Sequence, residues 1–215
     1  MKTENIKKDN IETRDFNSII EIREEGEKRT VSGVAAVFNT RAEIWEGFFE
    51  EIARGAFDDS MNDDVRALFN HDRNMILARS RSGSGTLKLS TGPDGLRYEF
   101  EAPNTTAGND LLENIRLGNI DQSSFAFTVK ESKIIEHDDG TLTRQILKVG
   151  RLYDVSPVTY PAYKETTVKI ARDELSAYQE SKKDEKLEKR RAKIEKKKKY
   201  IEITDKIRNH RNQKI

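Results

Sequence analysis

The sequence predicts a β-rich α+β domain followed by a charged helical tail, and three observations lead there. Between Phe16 and Tyr163, short apolar runs alternate with turn-forming residues, the pattern of a strand-dominated domain. One stretch inside that region, "NTTAGNDLLENIRLGN", carries capping residues and helical spacing instead. From Lys164 to Ile215 there is no glycine or proline, and Lys and Glu dominate, a composition that favours helix. Residues 1–15 read as a polar arm, so the expected divisions are 1–15, 16–163 and 164–215.

Taken in order, "IIEIREEGEKRTVSGVAAVFN" gives two strands joined around Glu25 and Gly26. "WEGFFEEIARGAF" follows, and then "SMNDDVRALFNHD", whose apolar run ends in His71. "TLKLSTGPDGLRYEFEAP" is the clearest hairpin, because Gly92-Pro93-Asp94-Gly95 supplies turn chemistry between alternating strands. In the helix, Thr or Asn caps the start, Leu111, Leu112 and Ile115 lie inside, and Gly118 stands at C′. "QSSFAFTVK" is a strand, "HDDG" at 137–140 a turn, and "LTRQILKVGRLYDVSPVTYPA" closes the body. In the tail, Leu187, Ile194 and Ile201 recur every seven residues, but charged residues fill most complementary positions. That pattern fits a solvated helix or a docking arm better than a stable coiled coil.

Bulk properties narrow the function classes. The 215 residues suffice for one domain with a core plus a tail. With 36% charged and 34% hydrophobic residues and a mean hydropathy of −0.82, part of the chain is expected to lie outside a packed core. No apolar run approaches the roughly 18 residues of a membrane span, and the N-terminus lacks a signal-peptide core. Cysteine is absent, which excludes disulfides and thiolate zinc sites and fits a reducing, cytoplasmic setting. The net charge of +1 hides a division. Residues 181–215 hold 15 Lys/Arg against 6 Asp/Glu, net +9, whereas the rest holds 24 against 32, net −8. An acidic body is a poor surface for phosphates, so nucleic acid is expected at most weakly, through the basic tail.

Few side chains remain for chemistry. Of three histidines, His210 lies in the tail and His137 in the predicted turn. His71 ends the apolar run on the face shared by Val65, Ala67 and Phe69, and near a serine it is the natural general base. In "SSFAFTV", strand alternation puts Ser123 with Phe125, Phe127 and Val129, and Ser124 on the opposite face with Ala126 and Thr128. Taking the aromatic face as core leaves Ser124 as the candidate nucleophile and Ser123 as its competitor. An Asp in a β-forming run asks for a reason, and Asp154 in "RLYDVSPV" is such a residue. It is a candidate to orient the imidazole, with Asp72, Asp138 and Asp139 as alternatives. No phosphate-binding loop, dinucleotide fingerprint or metal-ligand spacing is present, so no cofactor and no metal are expected.

The order of these pieces resembles the prohead maturation proteases of tailed bacteriophages over about residues 30–163. The resemblance is carried by "VSGVAAVFN", "GFFEEIARGAFDDS", "VRALFNHD", the hairpin, the helix running into "SSFAF", and "LYDVSPVTYPAY". It implies a serine endopeptidase that trims a scaffolding segment or scaffold protein inside the immature capsid, in the host cytoplasm, and often cuts itself. The family's histidine falls on His71, its serine on Ser124 and its acidic third member on Asp154, a position often Glu in relatives. The resemblance further implies the fold of the herpesvirus assembly proteases, a small β-barrel with surrounding helices, and carries over homodimerisation as an expectation. The major capsid protein or scaffold would be the substrate, with no membrane involved. The competing reading is a non-enzymatic capsid assembly or scaffold protein that uses the same barrel and interacts through its charged tail. A third is a nucleic-acid accessory protein acting through that tail.

Overall fold

The computed structural model describes residues 11–16, 20–26, 28–160 and 165–212. Its strands are β1 (Glu12–Phe16), β2 (Glu21–Glu25), β3 (Lys28–Val37), β4 (Ala42–Trp45), β5 (Phe48–Ile52), β6 (Val65–Leu68), β7 (Ile76–Arg81), β8 (Ser84–Gly85), β9 (Leu87–Thr91) and β10 (Gly95–Glu101). Helix α1 (Thr106–Arg116) follows, then the long strands β11 (Gln122–Glu136) and β12 (Leu142–Val158), and finally helix α2 (Glu165–Asn212). By contacts the chain divides into a strand-rich unit, Met1–Ala171, and a second unit, Arg172–Ile215.

Local chemistry accounts for most elements. Gly26, with φ +62°, makes the β2–β3 turn where a side chain would be strained. At α1 the Thr105 hydroxyl accepts from the Gly108 amide at 3.2 Å, and Gly118 takes φ +71° just past the end. The β11–β12 turn closes with the Gly140 amide donating to the His137 carbonyl at 2.9 Å. Each of these was readable from turn and cap residues.

Pairing is less local. In one sheet the order is β1-β11-β12-β6-β7-β8, with β5 also on β12 and β4 on β5; the other runs β2-β3-β10-β9. The 17-residue β12 pairs antiparallel with β11 along one edge. Its other edge takes β5 and then β6, both parallel. Among the described residues the strands thus form two sheets, and their hydrogen bonding does not close into the expected barrel. One apolar core draws on both sheets and α1, including Val31, Phe57, Leu96, Phe100, Leu111, Phe125, Phe127 and Ile146. Of the polar arm expected over 1–15, residues 1–10 lie outside the described residues, and residues 12–16 form β1, on the edge of β11.

Helix α2 makes up most of the second unit. From 181 to 198 every residue is exposed, Leu187 and Ile194 included. Lys189 pairs with Glu185 and Arg191 with Glu188 along its surface. The Ile201 and His210 side chains lie outside the described residues. Among the described residues no helix is long and apolar enough to cross a membrane.

Candidate active site

Strand β11 sorts its residues as alternation requires. Phe125 and Phe127 stack at 4.7 Å between centroids within the core. Ser123 points to that side as well, sharing a 2.8 Å hydrogen bond with the buried Tyr98 hydroxyl. Burial raises the Tyr98 pKa, so this phenol stays protonated and holds Ser123 in a neutral core pair. Gly33 makes room for it, because a Cβ there would sit 2.6 Å from the Tyr98 oxygen. Ser124 turns to the other face, opposite Ser156 on β12.

His71 reaches Ser124 by a route different from the expected one. Strand β6 stops at Leu68, and Asn70 and His71 both take left-handed backbone, with φ of 55° and 58°. The shared face with Val65, Ala67 and Phe69 therefore does not extend to His71; a turn re-aims it. Asn70 tolerates that conformation better than most residues. It also pins the turn: its amide donates to the Pro157 carbonyl at 3.0 Å, and its Oδ1 accepts from the Thr159 amide at 2.9 Å. The imidazole is thereby fastened to the end of β12.

Three side chains converge. His71 Nε2 lies 2.7 Å from Ser124 Oγ, and His71 Nδ1 lies 2.6 Å from Asp154 Oδ1. Asp154 also accepts from the Ser156 hydroxyl at 2.7 Å, which fixes the carboxylate's rotation. An ionised carboxylate only accepts, so the network assigns the proton to Nδ1 and leaves Nε2 free to accept from the serine. All three side chains are largely shielded from water, and Ser124 fully. The competitors stand elsewhere: Asp72 accepts from Asn74 within its own turn, Asp139 from Thr141, and His137 bonds Thr143. A cleft beside the imidazole is lined by Thr13, Arg66, Leu68, His71, Ala126 and Asp154. Among the described residues no cluster of His, Asp and Glu could hold a metal ion.

Sequence reasoning missed Asn70, Ser156 and strand β1. For Asn70 a signal existed, an Asn directly before the histidine. For β1 there was little, since "ETRDF" has one apolar residue.

A strand-rich α+β domain with a serine, an imidazole and a carboxylate joined by hydrogen bonds has the geometry of a serine hydrolase. The chain belongs to the caudovirus prohead serine protease family, which matches residues 17–181. Among solved structures it is similar to the bacteriophage T4 capsid assembly protease, gp21, at 13% identity and a TM-score of 0.49. The likeness covers 71% of this chain and 98% of that one. No curated protein matches the chain.

Proposed function

We propose that the chain is a serine endopeptidase of procapsid maturation, with Ser124 as nucleophile, His71 as general base and acid, and Asp154 orienting His71. The observation that carries this reading is the unbroken hydrogen-bond chain from Ser124 through His71 to Asp154, in a member of the prohead protease family. Ser124 Oγ attacks the scissile carbonyl carbon while His71 Nε2 takes its proton. The same proton passes to the leaving amine as the carbon–nitrogen bond breaks, leaving an acyl-serine. Water, deprotonated by His71, then releases the acid and restores Ser124. Asp154 keeps the reactive nitrogen free and stabilises the imidazolium that forms between steps.

The substrate is the scaffolding segment of the shell protein or a separate scaffold protein, and the chain cuts itself as well, inside the procapsid in the host cytoplasm. In this reading residues 16–163 are the protease domain, 164–215 a positioning tail, and the active species a homodimer. The two-sheet body is taken as an opened relative of the small herpesvirus protease barrel. Co-expression with the shell protein tests the reading. Wild type trims the shell protein, whereas Ser124→Ala and His71→Ala leave it full length, since losing either member costs up to roughly 10⁶ in kcat. Particles that mature normally with Ser124→Ala would sink it.

A further inference from the structure

The charges of helix α2 are sorted by face. Leu187 and Ile194 stand seven residues apart, 46% and 50% exposed, and Ile201 continues the spacing in the sequence. With these residues at position a of a heptad, Arg190 and Lys197 fall at d. Lys186 and Lys193 then stand at g, and Arg191 and Lys198 at e. Positions a, d, e and g form the side that a helix offers to a neighbouring helix. Over 186–198 that side holds two apolar residues, six cations and no acid, along about 18 Å of axis. The acids of the same stretch, Glu188 and Glu195, both fall at b, on the outside.

The helix has no acid placed to neutralise the centre of this face. Arg190 and Lys197 have only Lys, Tyr, Leu or Ile three and four positions away. Ion pairs stand at the margin and behind, Arg191 with Glu188 and Lys189 with Glu185. A second copy of α2 does not fit, because in either chain direction cations would face cations across the seam. A nucleic-acid duplex would satisfy the cations but leave Leu187 and Ile194 idle in the middle of the contact, since phosphates ask for no apolar residue every seventh position. The complement of the face is a helix with an apolar residue every seven and carboxylates beside it.

We propose that residues 186–198 of α2 are a docking face for an acidic helix of another protein, which sets apolar side chains against Leu187 and Ile194 and carboxylates against Arg190 and Lys197. The proposal gives the positioning tail of the reading above a partner of defined chemistry, and it rests on that reading for what docking accomplishes. The apolar contacts fix register, and the cations select: an unpaired guanidinium or ammonium in such a seam costs stability, and a carboxylate opposite it offsets the cost. Repulsion between copies keeps the helix from pairing with itself and leaves the face open for the acidic partner.

The test is fluorescence anisotropy on the full chain carrying Ser124→Ala, which leaves the probes uncut, at about 0.15 M salt. Two labelled helical peptides of roughly four heptads serve as probes. One has Ile at a and Glu at d, e and g, for parallel docking; the other has Leu at d and Glu at a, e and g, for antiparallel docking. At least one is expected to bind saturably, with more helical circular dichroism than the sum of the parts. Leu187→Gln/Ile194→Gln and Arg190→Glu/Lys197→Glu should each weaken it roughly tenfold or more. The same peptide with Lys in place of Glu should not bind, a control that needs no variant of the tail. Absence of saturable binding by both probes, equal binding of the Lys peptide, or binding indifferent to the Leu187 and Ile194 changes overturns the proposal. A DNA duplex bound more tightly than either peptide, and equally well by the Gln variant, assigns the face to phosphates and overturns it too. None of these outcomes bears on Ser124, whose role is decided by cleavage of the shell protein.

Discussion

At the scale of single residues, the strand face on which Ser124 lies was legible and the position of His71 was not. Alternation alone separates Ser123 from Ser124, because Phe125 and Phe127 fix which face is core. The anomaly of an Asp in a β-forming run marked Asp154 equally well. His71 could not be placed the same way, since the left-handed turn at Asn70 and His71 breaks the strand count, and the Asn in "LFNHD" hints at a turn without stating where the strand stops. Two substitutions separate the roles. Asp154→Asn is expected to lower kcat by roughly 10⁴ with KM little changed, because the imidazole loses its enforced tautomer. Ser123→Ala should cleave at the wild-type rate yet unfold more easily by about 1–3 kcal/mol, since the buried Tyr98 hydroxyl loses its partner. Steady-state kinetics and urea unfolding on the same preparations check both. An inactive but fully stable Ser123→Ala would reverse the assignment of the two serines.

At the scale of elements, caps and turns announced the hairpins and α1, while β1 stayed hidden. Its sequence offers no apolar stripe, and besides its pairing with β11, the charges that meet its buried Glu12 and Arg14 arrive from β5 and β12, far away along the chain. Such burial has a cost that shows when it is disturbed. For Glu50, burial opposes ionisation, but Arg14 and Arg144 more than offset it and hold its pKa below the ordinary carboxylate value. For Arg14, burial likewise opposes the charge, and Glu50 outweighs it, raising its pKa. A depressed carboxylate pKa contributes stability above the unfolded value and loses it as pH falls through the folded one. Acid unfolding below about pH 4.3 is therefore expected to be less steep in Glu12→Ala/Arg14→Ala, where one arginine partner of Glu50 is gone. Arg14→Ala alone should cost about 3–5 kcal/mol, and adding Glu12→Ala should return part of that. A double-mutant cycle by denaturant unfolding measures it; strictly additive losses would mean that the four charges do not act as a unit.

At the scale of the whole molecule, composition revealed the β-rich body and the charged tail but not the sheet plan. Parallel pairing of β12 with β5 and β6 joins residues some 90 positions apart, and no turn chemistry marks it. The tail is the opposite case, since everything notable about it is local. Residues 181–198 expose every side chain, and their helix is supported beyond intrinsic propensity by surface contacts such as the Lys189–Glu185 ion pair. Pairs of that kind contribute about 0.3–0.5 kcal/mol each and weaken with salt. Deleting 182–215 is thus expected to leave the melting temperature of the strand-rich unit within about 2 °C of wild type, less than a 1 kcal/mol loss would produce in a domain of this size. The same deletion removes a matching share of the helical circular dichroism signal, and in the intact chain that share falls first on heating or at high salt. A single cooperative transition that carries the tail's helix and the strands together, shifted by many degrees on deletion, would show that α2 is built into the domain's stability instead of appended to it.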